Sequence, residues 1–262
     1  MASDRADYQD WRDAGLLLIG HGSSRVRGGG DQVRGLARAI RARRLFAQVT
    51  ACFLKEAPSV GEGLRRLRPA RVFAVPVLAG EGHYSREEIP RALGLSGEGG
   101  RERRDVHYCG VVGAHPGIPA IVARRADTVI AANGLDPGQV GVLLVGHGSR
   151  HPGGGGGMAA PVADALAALT RYGEVRAAYL EEEPRISEWP RLMSSRLVVV
   201  VPLLVAEGRH RAEDILPHFG LAPGATGPAV LAGRTIWCAE ALGAGREMAD
   251  IVLDLVSRAG RS

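Results

Sequence analysis

The sequence predicts an α/β protein built from two tandem homologous lobes, each a small parallel sheet flanked by helices. Three observations lead there. The phrase Gly15-Leu-Leu-Leu-Ile-Gly-His21-Gly-Ser-Ser returns 126 residues later as Gly141-Val-Leu-Leu-Val-Gly-His147-Gly-Ser-Arg. The same offset then holds without a gap. Leu54-Lys-Glu56-Ala-Pro58 falls on Leu180-Glu-Glu182-Glu-Pro184, Val75-Pro76 on Val201-Pro202, Glu81-Gly82 on Glu207-Gly208, and Ile89 on Ile215. A register kept across strands, loops and helices is the signature of an internal repeat. Finally, the apolar runs are short and nearly continuous, as in strands covered on both faces, and helical patterns lie between them.

The elements follow in order. Strands are predicted at Leu16–Ile19, Val49–Leu54, Val72–Leu78 and Val106–Cys109. Their counterparts are Val142–Val145, Val175–Leu180, Leu197–Leu204 and Thr235–Cys238. Between the first two strands, Val33, Leu36, Ala37 and Ile40 recur at helical spacing with arginines on the other face. Helices are predicted near Met158–Thr170 and Ala241–Val256. Past Ile89 the repeats drift, and Tyr108-Cys109 meets Trp237-Cys238 at an offset of 129. Gly134-Leu-Asp-Pro-Gly138 has turn chemistry. It sets the expected boundary, with lobes at 1–136 and 137–262.

Composition narrows the function classes. The longest apolar stretches, such as Leu197 to Ala206, are too short for a membrane span. The first residues are polar and charged, unlike a secretory leader, so the expected location is the cytoplasm. Cys52, Cys109 and Cys238 form no C-x-x-C pair and read as buried thiols rather than a metal or cluster site. The formal charge is +5, and all but one of the 33 basic residues are arginine. Arginine suits carboxylates because its planar fork binds both oxygens. Nucleic acid is ranked well below a small acidic substrate, since no zinc finger or aromatic single-strand platform is present.

In open α/β sheets, ligands bind beyond the carboxyl ends of the strands. His21 and His147 follow first strands, Glu56 and Glu182 second strands, and His83 and Arg209 third strands. The set His21, Glu56 and His83 offers two imidazoles and a carboxylate, which suit a borderline divalent metal. The same groups accept protons near neutral pH. Gly20, Gly22, Gly80 and Gly82 flank the histidines, an arrangement expected to let a large flat ligand reach the backbone. Gly28-Gly29-Gly30 and Gly153 to Gly157 are not P-loops, because neither ends in Gly-Lys-Ser/Thr.

The strand–Gly-His-Gly-Ser opening, the Leu-x-Glu-x-Pro segment and the Val-Pro…Gly-x-Gly-His83…Glu88-Ile89-Pro90 segment resemble class II tetrapyrrole chelatases. The two-lobe sirohydrochlorin cobalt- and ferrochelatases are the nearest pattern, over roughly Gly15 to Val256. The resemblance implies ATP-independent insertion of Co²⁺ or Fe²⁺, with Ni²⁺ also compatible, into sirohydrochlorin in sirohaem or cobalamin synthesis. It implies a cleft between the lobes and no organic cofactor, the metal being a substrate. His21 and His83 match the metal-binding and proton-accepting histidines, and Glu56 their acidic partner. Ser23, Arg25, Gly82, His147 and Arg209 are weaker candidates for substrate contact. Glu88 stands where the family often has Asp.

The halves differ at one informative place. His83 aligns with Arg209, while His210 falls against Tyr84. The first lobe is therefore expected to be catalytic, with His147 and Glu182 a relic, a lid or a weaker second metal site. The expected partners are tetrapyrrole and metal, with neither nucleic acid nor membrane, in a monomer or weak homo-oligomer. Two other classes remain open. One is a non-catalytic binder or carrier of metal or tetrapyrrole. The other is a histidine phosphatase, disfavoured because Gly20, not arginine, precedes His21.

Overall fold

The computed structural model describes residues 11–23, 29–95, 104–148, 157–203, 214–244 and 247–261. In the first repeat the strands are β1 (Gly15–Gly20), β2 (Gln48–Phe53), β3 (Arg71–Pro76) and β4 (Asp105–Tyr108). Its helices are α1 (Asp31–Ala42), α2 (Val60–Arg66), α3 (Ile89–Ala92) and α4 (Ile118–Ala132). A wide π-helical turn, Tyr84–Glu88, leads into α3. In the second repeat lie β5 (Val140–Gly146), β6 (Glu174–Tyr179), β7 (Leu197–Pro202), β8 (Ala229–Leu231) and β9 (Arg234–Cys238), with α5 (Ala159–Ala167), α6 (Trp189–Leu192) and α7 (Glu247–Ala259).

The first sheet is parallel throughout, in the order β2-β1-β3-β4, and the second repeats it as β6-β5-β7-β9. Every residue of β1 and β5 is buried, which explains their unbroken apolar sequence. One departure from the expected scheme is β8, which pairs antiparallel with β9. Ala232 and Gly233, both at positive φ, turn the chain between them.

Helices cover both sheets. Val60, Ile89 and Leu93 pack with Leu17, Ile19 and Val72 in the first core. In the second, Trp189, Met193 and Phe219 pack with Leu143, Val145 and Val198. Helix α2 starts on a capping box: the Ser59 hydroxyl accepts from the Glu62 N–H, and the Glu62 carboxylate accepts from the Ser59 N–H.

The compact units do not coincide with the repeats. One consists of Met1–His115 with Arg246–Ser262, the other of Pro116–Gly245. Each unit is thus completed by the last helix of the other repeat. Helix α7 packs on β3, on α1 and on the turn at 112–114. It buries Met248, Ile251, Val252, Leu255 and Val256 there. Asp250 pairs with Arg43 at 2.5 Å, and Asp254 with the buried His115 at 2.6 Å. Helix α4 lies against β7 and α5. The Trp237 indole N–H donates to Asn133 just past its end at 3.1 Å. No helix among the described residues is long and apolar enough to cross a membrane.

Candidate functional site

In the first sheet the chain leaves β1 toward β2 on one side and returns to β3 on the other. The carboxyl ends of β1 and β3 therefore form a topological switch point, where open α/β sheets bind ligands. His21 is the first residue past β1. Its turn is tied to neighbouring chain: Leu54 N–H donates to Gly20 O at 3.1 Å, Lys55 N–H to His21 O at 2.8 Å, and Val77 N–H to Ile19 O at 2.8 Å. The second repeat reproduces all three bonds as Leu180 to Gly146, Glu181 to His147 and Leu203 to Val145. The two histidines thus leave equivalent strands with equivalent backbone support.

The glycines beside His21 serve packing, which corrects the expectation that they clear space for a ligand. A Cβ on Gly20 would come within 2.8 Å of Val33. On Gly22, at φ +68°, it would strike the Glu56 Cβ at 2.7 Å and the Phe53 Cβ at 2.9 Å. Gly148 at φ +75° meets Glu182 in the same way, at 2.7 Å. Gly82, by contrast, has open space where a side chain would stand.

Glu56 faces this turn from below. Its Oε2 accepts the Ser23 N–H at 3.3 Å, and its Oε1 takes the Arg34 guanidinium at 2.5 Å. Arg34 also lies 4.5 Å from the centre of the Phe53 ring. The carboxylate therefore anchors the Gly22-Ser23 backbone and is already paired with a cation.

The two first-lobe histidines meet a common neighbour. The His21 ring stands edge-on to Tyr84, 5.2 Å between centroids, and the His83 ring lies 6.1 Å from the same ring. His21 Nδ1 is 3.0 Å from Gly22 O, and His83 Nδ1 is 3.4 Å from Glu87 Oε1. In the tautomer that carries its proton on Nδ1, each ring keeps its Nε2 lone pair for a metal or a proton. Both histidines are exposed. Ser85, buried at the start of the π turn, bonds through its hydroxyl to Gly82, and the Tyr108 hydroxyl donates to Ser85 O at 2.6 Å. Burial, helped by nearby Cys109 and Glu81, pushes the Tyr108 phenol up to about 12, so it remains a donor.

Among the described residues no three His, Cys, Asp or Glu side chains gather tightly enough to hold one ion. His21, Glu56 and His83 share a rim without forming a preassembled three-ligand cage. Cysteine contributes nothing there, because burial pushes the Cys52 and Cys109 thiols up to about 12.

In the second unit, His147 Nδ1 lies 4.0 Å from Glu181 Oε2. Ala160 stands at the repeat position of Arg34, and Glu181 at that of Lys55. Arg25 and Arg209, expected as substrate contacts, lie outside the described residues, as does His210. Three side chains beyond the expected set also stand at this rim: Arg34, Tyr84 and Lys55. In the sequence, Arg34 and Lys55 stand where the repeats differ in charge, and Tyr84 stands where the second repeat has His210.

Comparison with known proteins fits this picture. A family model named CbiX matches the chain twice, over residues 15–129 and 141–259. A Halobacterium salinarum protein described as "Probable sirohydrochlorin cobaltochelatase" is 30% identical over 267 residues, covering 94% of this chain and 91% of that one. The crystal structure of the Deinococcus radiodurans protein DR2241, a multi-domain protein with structural similarity to chelatases and two additional domains, superposes with a TM-score of 0.74 at 26% identity. That match covers 95% of this chain, which spans only 55% of the Deinococcus protein. SirB from Bacillus subtilis with Fe³⁺ shares the fold, with a TM-score of 0.68 at 17% identity over 94% of this chain and 95% of its own.

Proposed function

The chain belongs to the CbiX family, and from that premise we propose that it inserts a divalent metal, Co²⁺ or Fe²⁺, into sirohydrochlorin without ATP. The observation that carries this reading is the pair His21 and His83, exposed at the switch-point rim against one tyrosine ring. Metal insertion must remove two pyrrole N–H protons and exchange the ligands of the incoming ion for ring nitrogens. Two exposed imidazoles serve both needs, first as ligands and then as proton acceptors. Because Glu56 is committed to Arg34 and Ser23, its part is to hold the His21 turn in place. Ser23 and Gly82 border the same rim, and the open space at Gly82 suits close approach of a flat macrocycle. His147 with Glu182 is the subordinate site.

The arginine-rich composition accords with a substrate that bears eight carboxylates. The product then serves sirohaem or cobalamin synthesis. The test is anaerobic mixing of purified protein, sirohydrochlorin and Co²⁺ or Fe²⁺, followed by absorption spectroscopy. Metallation well above the uncatalysed rate is expected; a rate equal to background overturns the proposal.

A further inference from the structure

We propose that Lys55 is a substrate-contact residue that grips a carboxylate on the rim of the tetrapyrrole, fixing the macrocycle over His21 and His83; this rests on the chelatase reading above. Lys55 is the only lysine in the chain. Its backbone N–H is bonded to His21 O at 2.8 Å, so its position is fixed relative to that histidine. Its ammonium reaches across the rim to stand 5.4 Å from the centre of the Tyr84 ring, the ring that His21 meets edge-on. Cation, tyrosine and imidazole therefore form one continuous surface.

The ammonium has capacity to spare. Its ion-pair partner is Glu88, with Nζ to Oε1 at 3.5 Å, beyond ordinary hydrogen-bonding distance. An ammonium carries three donors on a flexible stem, so it can follow a carboxylate that a rigid guanidinium fork would miss. The Lys55 side chain is 43% exposed and stands at the rim that ligands reach.

The repeat gives an internal contrast. The residue at the same register in the second unit is Glu181, 4.0 Å from His147. One repeat thus sets a cation near its strand-end histidine where the other sets an anion. A positive charge there attracts an anionic group. For a macrocycle fringed with carboxylates, that group is one of its own acidic side chains.

The test is a titration of metal-free sirohydrochlorin, with no metal present, into the full-length protein and its Lys55 variants, following the absorbance of the tetrapyrrole. Lys55→Met is expected to weaken binding roughly 5- to 20-fold, as loss of a charge-assisted contact does. Lys55→Glu should weaken it further, and Lys55→Arg, which keeps the charge but not the flexible ammonium, should recover only part of the affinity. Under turnover the loss should appear in KM for the tetrapyrrole, with KM for Co²⁺ unchanged. Equal affinity of wild type, Lys55→Met and Lys55→Glu overturns the role of Lys55 while leaving the chelatase reading standing. Failure of the wild type to bind the tetrapyrrole overturns both.

Discussion

Arg34 holds Glu56 at 2.5 Å, a pairing in which the carboxylate can buttress the His21 turn. A carboxylate that ligates the ion turns an oxygen lone pair to it. One that supports the Gly22-Ser23 backbone does its work in the paired state.

Glu56→Gln is therefore expected to keep metal insertion within about fivefold of wild type, because the amide oxygen can still accept the Ser23 N–H. Glu56→Ala loses that bond and leaves Arg34 only its weaker ion pair with Asp31, and should cost at least about tenfold in kcat. Steady-state rates of the two variants check this. Equal, near-complete loss in both would make Glu56 a ligand.

Gly22 has positive φ and no room for a Cβ. Gly22→Ala should destabilise the first unit by about 2 kcal/mol or more, from left-handed strain together with the clash against Glu56. Gly148→Ala should do the same in the second unit. Chemical denaturation of each variant measures the effect. Unchanged midpoints would contradict the close approach.

The exchange of helices predicts which unit fails when the C-terminus is removed. Without residues 247–262, the first unit loses its cover on β3 although those residues belong to the second repeat. Cys109, on the side that α7 covers, should then react quickly with a thiol reagent while Cys238 stays protected. Both are buried in the intact chain. Exposure of Cys238 first would contradict the assignment of α7.

Asp254 gives the first unit an acid-sensitive clasp. Burial pushes its carboxyl up, but hydrogen bonds from His115 and Arg258 outweigh burial and hold it below the usual carboxylate range. A folded pKa below the unfolded one contributes stability above about pH 4 that is lost as pH falls through the lowered value. Asp254→Asn should lower Tm at pH 7, and the gap to wild type should close on acidification. A gap that stays constant from pH 7 to pH 3 would dissociate the clasp from this carboxylate.

Much of this architecture was legible in the chain. The gapless offset located the three leading strands of each repeat, and it set His21, Glu56 and His147 just past strand ends, because strand and loop share one register. Helix ownership was not legible. The apolar face of α7 says that Met248, Ile251, Val252 and Leu255 are buried, but amphipathicity carries no address for the sheet that buries them. Gly20 and Gly22 were misread because a glycine beside a histidine looks the same whether it admits a ligand or the Cβ of Glu56. The Arg34–Glu56 pair joins residues from two elements, and only the asymmetry with Ala160 hinted at it.

Two exposed imidazoles against one tyrosine ring are the core of the account. The most direct measurement is the initial rate of Co²⁺ insertion into sirohydrochlorin by His21→Ala, His83→Ala and His147→Ala beside wild type. Losses of about a hundredfold or more at positions 21 and 83, in the range expected for removal of a general base, with a smaller loss at 147, are predicted. First-lobe variants as active as wild type, or a larger loss at 147, would contradict it.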